Sequence, residues 1–71
     1  MKMIFVVYVI ERHGKYAAIS DTIKTGENLT VHCTRYDASV CHLCKSRREA
    51  DRLALAWNSA YTANGTHLFC D

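Results

Sequence analysis

Hydrophobic positions in the first third of the chain form a nearly continuous run and then a broken alternation. Met3 to Ile10 is apolar throughout and rich in β-branched and aromatic residues, which predicts a strand buried on both faces or paired on both edges, the first and most central of a sheet. The polar stretch from Glu11 to Lys15 contains a glycine and indicates a tight hairpin turn. Tyr16 to Ile23 is then the second strand.

Further along, polar and apolar residues alternate from Leu29 to Thr34, with the cysteine at position 33 on the apolar side. This period of two predicts a third strand, and the three together predict a three-stranded antiparallel meander. Val40 to Cys44 fits either a short continuing strand or the lead-in to a helix, and its pattern does not separate the two.

The clearest element is a helix from about Arg47 to Thr62. Ser46 and Glu49 form the S-x-x-E pattern of a capping box, in which each side chain bonds a free backbone N–H at the helix start. The Asn64-Gly65 pair suits a helix end. One apolar stripe recurs at spacings of three and four and should pack on the sheet: Ala50, Leu53, Ala54, Trp57 and Tyr61.

These elements predict a single small α+β domain over residues 1–71, of order β-β-β-α. Thr66 to Phe69 can return as a short edge strand, which would make the order β-β-β-α-β. The chain has no proline, no linker composition and no internal repeat. Its core should be thin, because a domain of this length buries only roughly 60% of the surface of its unfolded chain.

The apolar run after Lys2 is too short to span a bilayer and is followed at once by charged residues, so we interpret it as a strand and not as a secretory signal. A cytoplasmic location is therefore expected, with no membrane association. In that compartment the four cysteines would stay reduced.

The cysteines offer one candidate metal site. Cys41 and Cys44 have the C-x-x-C spacing that lets two thiolates bind one zinc ion, and Cys33 and Cys70 are the cysteines that could complete it, with His32 or His67 as alternatives. Neither His32 with Cys33, on the predicted third strand, nor His67 with Cys70, near the C-terminus, repeats the C-x-x-C spacing. The simpler interpretation, in which the cysteines are small core or incidental residues, predicts no cofactor; a structural zinc is the alternative.

Four basic residues gather around the first turns of the helix: Lys45, Arg47, Arg48 and Arg52. Cations are unfavourable there because the helix dipole is positive at its N-terminus, and Arg48 and Arg52 also repel each other at i and i+4. A phosphate group, for example of a nucleic acid, would relieve both effects. The simpler interpretation is a solvated face in which Glu49 and Asp51 balance the arginines.

Leu55 projects from the polar face of the helix, opposite Trp57. Single exposed leucines are common, but one surrounded by arginines is also typical of an interface with a protein partner or a second copy of the chain. We find no nucleophile with a base, no paired carboxylates and no phosphate-binding glycine loop, so an enzyme is not expected.

The element order resembles that of many small bacterial and phage β-β-β-α modules, and loosely that of the arm-type DNA-binding domains of tyrosine recombinases. The latter resemblance implies a sheet whose outer face enters the major groove. Few residues of the expected outer face are basic: Lys15, Ser20, Thr22, Thr30, His32 and Thr34. The sequence assigns no specific function. It favours a non-catalytic interaction module, for which self-association through the helix face or an open sheet edge is one option, with nucleic-acid binding or a zinc-stabilised domain as alternatives.

Overall fold

The computed structural model of the protein describes residues 3–24 and 37–69. Three strands, β1 (Met3–Arg12), β2 (Lys15–Lys24) and β3 (Val40–Cys44), form one antiparallel sheet, and the helix α1 (Arg47–Ala63) packs against it. This confirms the predicted α+β class with a three-stranded antiparallel sheet and one helix. The helix ends one residue beyond the predicted Thr62.

The strand order in the sheet is β2-β1-β3, so β1 is central as predicted. The open question over Val40 to Cys44 is resolved, since this segment is a strand and pairs with β1 in a register that sets Phe5 opposite Cys44. Among the described strands, β3 therefore lies beside β1 and not beside β2, as it would in a meander. The predicted strand from Leu29 to Thr34 lies outside the described residues.

The hairpin between β1 and β2 closes through a two-residue turn. Arg12 pairs with Lys15, and the two residues between them, His13 and Gly14, have φ angles of 54° and 79°. Positive φ at both central positions defines a type I′ turn, whose twist matches that of the strands. Gly14 adopts this conformation without steric cost, and His13 is a residue type that tolerates it.

The N-terminus of α1 has the predicted cap in a slightly altered form. The Glu49 amide donates to Ser46 Oγ at 3.1 Å, as a capping box requires. The Glu49 carboxylate, however, accepts from the backbone N–H of Lys45 at 2.7 Å, one residue before the cap. Both bonds fix the direction in which the chain leaves β3 and enters the helix.

At its other end α1 closes in a Schellman motif. Gly65 has a φ of 71°, and the Thr66 amide donates to the Tyr61 carbonyl at 2.8 Å, which turns the chain back toward β2. In place of the predicted C-terminal edge strand, the structure has a single β-bridge there, between Tyr16 and His67.

Both faces of β1 are buried, as its unbroken apolar sequence predicted. Val7, on the face toward α1, and Val6, on the opposite face, are both fully inaccessible to solvent. The residues buried on the α1 side are Val7, Val9, Ala18, Ala50 and Ala54. Those buried on the opposite side include Val6, Tyr8 and Ile23. The sheet is thus the middle layer of the core.

The helix crosses the face of β2 that carries Ser20 and Thr22, two residues of the expected outer face. Ala18 is buried beneath α1, and Ser20 donates from its hydroxyl to Asp51 at 2.7 Å. The expectation that Ser20 and Thr22 belong to an outer face is therefore wrong. The small side chains of Ala18 on the strand and Ala50 on the helix let the two elements approach closely.

Candidate functional site

The predicted basic residues and Leu55 lie together on the outer side of α1. Leu55 is 68% exposed and lies where two shallow surface grooves meet. Arg47, Arg48 and Arg52 line one of these grooves together with Asp51. We call Arg48, Arg52 and Leu55 the arginine–leucine face. Lys45 precedes the helix and does not line either groove.

Helical periodicity explains why this face is exposed. Ala50 and Ala54 contact the sheet, and positions 48, 52 and 55 lie on the other side of the helix. The second groove continues from Leu55 toward the helix C-terminus, where its walls are mainly polar: Asn58, Ser59, Thr62, Ala63 and His67. A single large apolar side chain therefore stands between a basic end and a neutral polar end.

Charge balance on this face is incomplete. Arg47 Nε lies 4.0 Å from Asp51 Oδ2, with both side chains exposed, and the other Asp51 oxygen accepts from Ser20. The Glu49 carboxylate is engaged by the Lys45 backbone.

Among the residues that the structure describes, no carboxylate lies within ion-pair distance of Arg48 or Arg52. Of the two carboxylates expected to balance the arginines, only Asp51 makes an ion pair, and it does so with Arg47. Arg48 and Arg52 are thus left as two like charges, one helical turn apart, beside an exposed leucine.

The structure does not bring the C-x-x-C cysteines together. Cys41 packs with Tyr8 and Ile23 on one face of the sheet, whereas Cys44 packs with Phe5 and Val7 on the other. Residues three apart on a strand point to opposite faces, so two thiolates at this spacing cannot reach one zinc ion from β3.

The chemical states of these two cysteines also differ. Cys41 is disulfide-bonded, and Cys44 has a free thiol. Cys33, Cys70 and His32, which were considered as further zinc ligands, lie outside the described residues. A disulfide at Cys41 departs from the expectation that all four cysteines stay reduced, because such bonds persist mainly in oxidising compartments. The cytoplasmic location stays an untested prediction.

The free thiol of Cys44 is poorly suited to nucleophilic chemistry. Burial raises its pKa, and the negative charge of Glu49 raises it further. A raised pKa lowers the fraction of reactive thiolate at neutral pH. Within the described part of the chain, Cys44 is therefore a half-buried packing residue at the end of β3.

Two of the described histidines, His42 and His67, make structural contacts. His42 lies edge-on to Trp57, with ring centroids 6.4 Å apart, and Nδ1 of His67 accepts from the Phe69 amide at 3.3 Å. Over residues 3–24 and 37–69, no group of three or more His, Cys, Asp or Glu side chains is placed to hold a metal ion. In these same ranges no helix has the length and apolar character needed to cross a membrane.

Sequence reasoning did not single out Asn58, which makes the most specific contact between α1 and the sheet. Its side-chain carbonyl accepts from the Ala18 amide at 2.8 Å, and its side-chain amide donates to the Ala18 carbonyl at 2.9 Å. The signal that could have found it is a polar residue directly beside Trp57, at the border of the apolar stripe.

No protein-family model matches this sequence, and searches of curated proteins and of solved structures give no significant match.

Proposed function

We propose that the protein is a non-catalytic interaction module that binds an acidic protein partner through its arginine–leucine face. One observation carries this proposal: Arg48 and Arg52 are exposed without a carboxylate partner in the described structure, and both lie on one side of a leucine that is 68% exposed. Arginine and large apolar side chains are enriched at the centres of protein interfaces.

Charge argues for an acidic partner over a second copy of the chain. The described part of this face presents two unbalanced positive charges, and Asp51 at its border is already shared by Arg47 and Ser20. A two-fold contact between copies would bury Arg48 and Arg52 with no matching carboxylate, which is costly. An acidic segment with an apolar anchor would complement both the arginines and Leu55.

The test is site-specific photo-crosslinking in a lysate of the source cells. A photoreactive residue at position 55 should capture a protein, and mass spectrometry of the crosslinked peptide should place the contact in an acidic, partly apolar segment. The matched control carries the same group at Glu11, an exposed position at the hairpin end of β1. Crosslinks of equal yield from both positions would refute a dedicated face.

Affinity for the captured segment, made as a synthetic peptide, then tests the individual residues. Leu55→Asp and the pair Arg48→Ala with Arg52→Ala should each weaken binding about tenfold or more, as expected for interface-centre residues. Ser59→Ala, a change on the second groove away from the arginines, should bind as the unchanged chain does. Binding that survives both the leucine and the arginine changes would contradict the proposal.

Nucleic-acid binding is the second candidate, favoured by the position of Arg48 in the first turn of a helix, where free N–H groups attract phosphate. In this case the crosslinked species would be nuclease-sensitive. The affinity for DNA or RNA would fall steeply with salt and with loss of the arginines, but would change little with Leu55→Asp. The apolar centre of the face has no counterpart on a phosphate backbone, which is why this candidate ranks second.

A further inference from the structure

Among the strands that the structure describes, β2 lies at an edge of the sheet, and an exposed edge is a template for pairing with another strand. In an antiparallel pair the backbone groups of alternate residues point away from the partner strand. The bonds of Tyr16 and Ala18 to groups beyond the sheet show that the even-numbered residues of β2 point outward. The edge therefore presents the N–H and C=O groups of residues 16, 18, 20 and 22.

Much of this edge is already occupied from within the chain. The Tyr16 amide donates to the Thr66 carbonyl and the Tyr16 carbonyl accepts from the Leu68 amide, both at 2.7 Å. Asn58 satisfies both backbone groups of Ala18, at 2.8 and 2.9 Å. The Thr22 amide donates to the neighbouring Asp21 carboxylate at 2.8 Å.

The Asn58 contact copies the bonding of a paired strand. A side-chain amide carries one acceptor and a donor group, so it can bond the N–H and the C=O of one residue as a neighbouring strand residue would. Aspartate could replace only the acceptor, and alanine or leucine neither. The helix thus places at Ala18 a side chain that can bond both outward backbone groups of the strand, as a neighbouring strand would, without adding a strand.

We infer that Asn58, together with the turn at Thr66 to Leu68, keeps β2 from pairing edge to edge with β2 of a second copy of this chain. A second copy is the matching occupant because two-fold antiparallel pairing about Ser20 would set Ala18 of each strand opposite Thr22 of the other. The strand is ten residues long and contains no proline to disrupt such pairing. This inference is independent of the arginine–leucine face.

The test replaces Asn58 with alanine, a strong helix former that leaves the Ala18 backbone open. In dilute solution Asn58→Ala should raise the hydrogen-exchange rate of the Ala18 amide roughly tenfold, the loss expected for one hydrogen bond. As the concentration rises, sedimentation should show a dimer, and the exchange of the Ala18 and Ser20 amides should slow again. Ser59→Ala, on the neighbouring exposed position, should leave exchange and mass unchanged.

Two further variants test the geometry. Thr22→Pro in the Asn58→Ala background removes an outward N–H without breaking the ladder to β1, and should restore the monomer. Asn58→Asp should stay monomeric, because it brings like charges to the two-fold axis. A folded Asn58→Ala chain that remains monomeric at high concentration would overturn the inference. So would fast exchange of Ala18 in the unchanged protein, a measurement that needs no variant.

Discussion

Replacing Arg48 with glutamate should stabilise the fold while weakening the binding to an acidic partner that we propose for this face. Arg48 is the second residue of α1, where the helix dipole is positive, and it has no carboxylate partner within the described structure. An unbalanced arginine at this position therefore reduces stability. The reversal of one charge should therefore separate the two properties.

The magnitude follows from two effects. Removing a cation and adding an anion in the first helical turn are each worth about 0.3–1 kcal/mol at low ionic strength. The substitution also removes the repulsion between positions 48 and 52 and replaces it with an attraction, and each of these two changes adds about 0.2–0.5 kcal/mol. Repulsion between the new carboxylate and Asp51 offsets part of this gain. After a discount for solvent screening, we expect a net gain of about 1 kcal/mol, or about 4–8 °C in Tm for a domain of this size.

Urea and thermal unfolding at low salt measure this gain, with Arg48→Gln expected about midway. The matched control is Ala63→Glu, which adds a negative charge at the opposite end of α1, where the dipole is negative, and should lower stability. In molar salt the gain should largely vanish, because the screening length falls to about 3 Å. A neutral or destabilising effect of Arg48→Glu at low salt would refute this reasoning, as would a gain that persists in high salt.

Three further predictions concern the fold. Ser46→Ala removes the acceptor of the Glu49 amide and should lower the unfolding free energy by about 1 kcal/mol in urea titrations; an unchanged midpoint would show that the remaining cap bond suffices. Gly14→Ala forces a φ of 79° on an alanine and should lower the free energy of unfolding by about 1–2 kcal/mol, whereas His13→Asn should leave it unchanged or raise it. Thermal unfolding measures both variants, and equal effects would contradict the type I′ turn. Near neutral pH, Cys44 should react with iodoacetamide more slowly than a free model thiol, and its reaction rate should increase only at pH values above the ordinary thiol pKa. Rapid alkylation of the folded chain near neutral pH would contradict the raised pKa of Cys44.

The elements whose signals are local were predictable from the sequence. The continuous apolar run of β1 indicated burial on both faces, and Val6 and Val7 are both fully buried. The capping box located the helix start because Ser46 and Glu49 interact within one turn. Each of these signals depends on residues only a few positions apart.

The elements that depend on distant residues were not predictable. Ser20 looked like an outward-facing polar residue, but it lies under the helix. There its hydroxyl donates a hydrogen bond to Asp51, 31 positions away. That bond also helps to explain the unbalanced arginines, because it engages one oxygen of the carboxylate expected to balance Arg48. The sequence placed Arg47, Arg48 and Arg52 in the helix, where the structure has them, but could not determine which of them would be paired.

The cysteine hypothesis depended on a local ambiguity. A C-x-x-C pair binds one metal when its backbone turns, and the pattern over Val40 to Cys44 left strand and turn open. Because the segment is a strand, the spacing separates Cys41 and Cys44 onto opposite faces of the sheet. The backbone conformation of residues 41–44 thus determines whether Cys41 and Cys44 can bind one metal ion together.

The position of β1 has a consequence for the order in which the chain folds. The central strand comes first along the sequence, yet its second neighbour β3 and its covering helix α1 come last among the described elements. At a synthesis rate of roughly 5–20 residues per second, about 2–8 s separate the completion of β2 from that of α1. During this interval the hairpin of β1 and β2 is synthesised but β1 is not yet covered by α1 or paired with β3. Association of this exposed apolar strand with other chains then competes with folding.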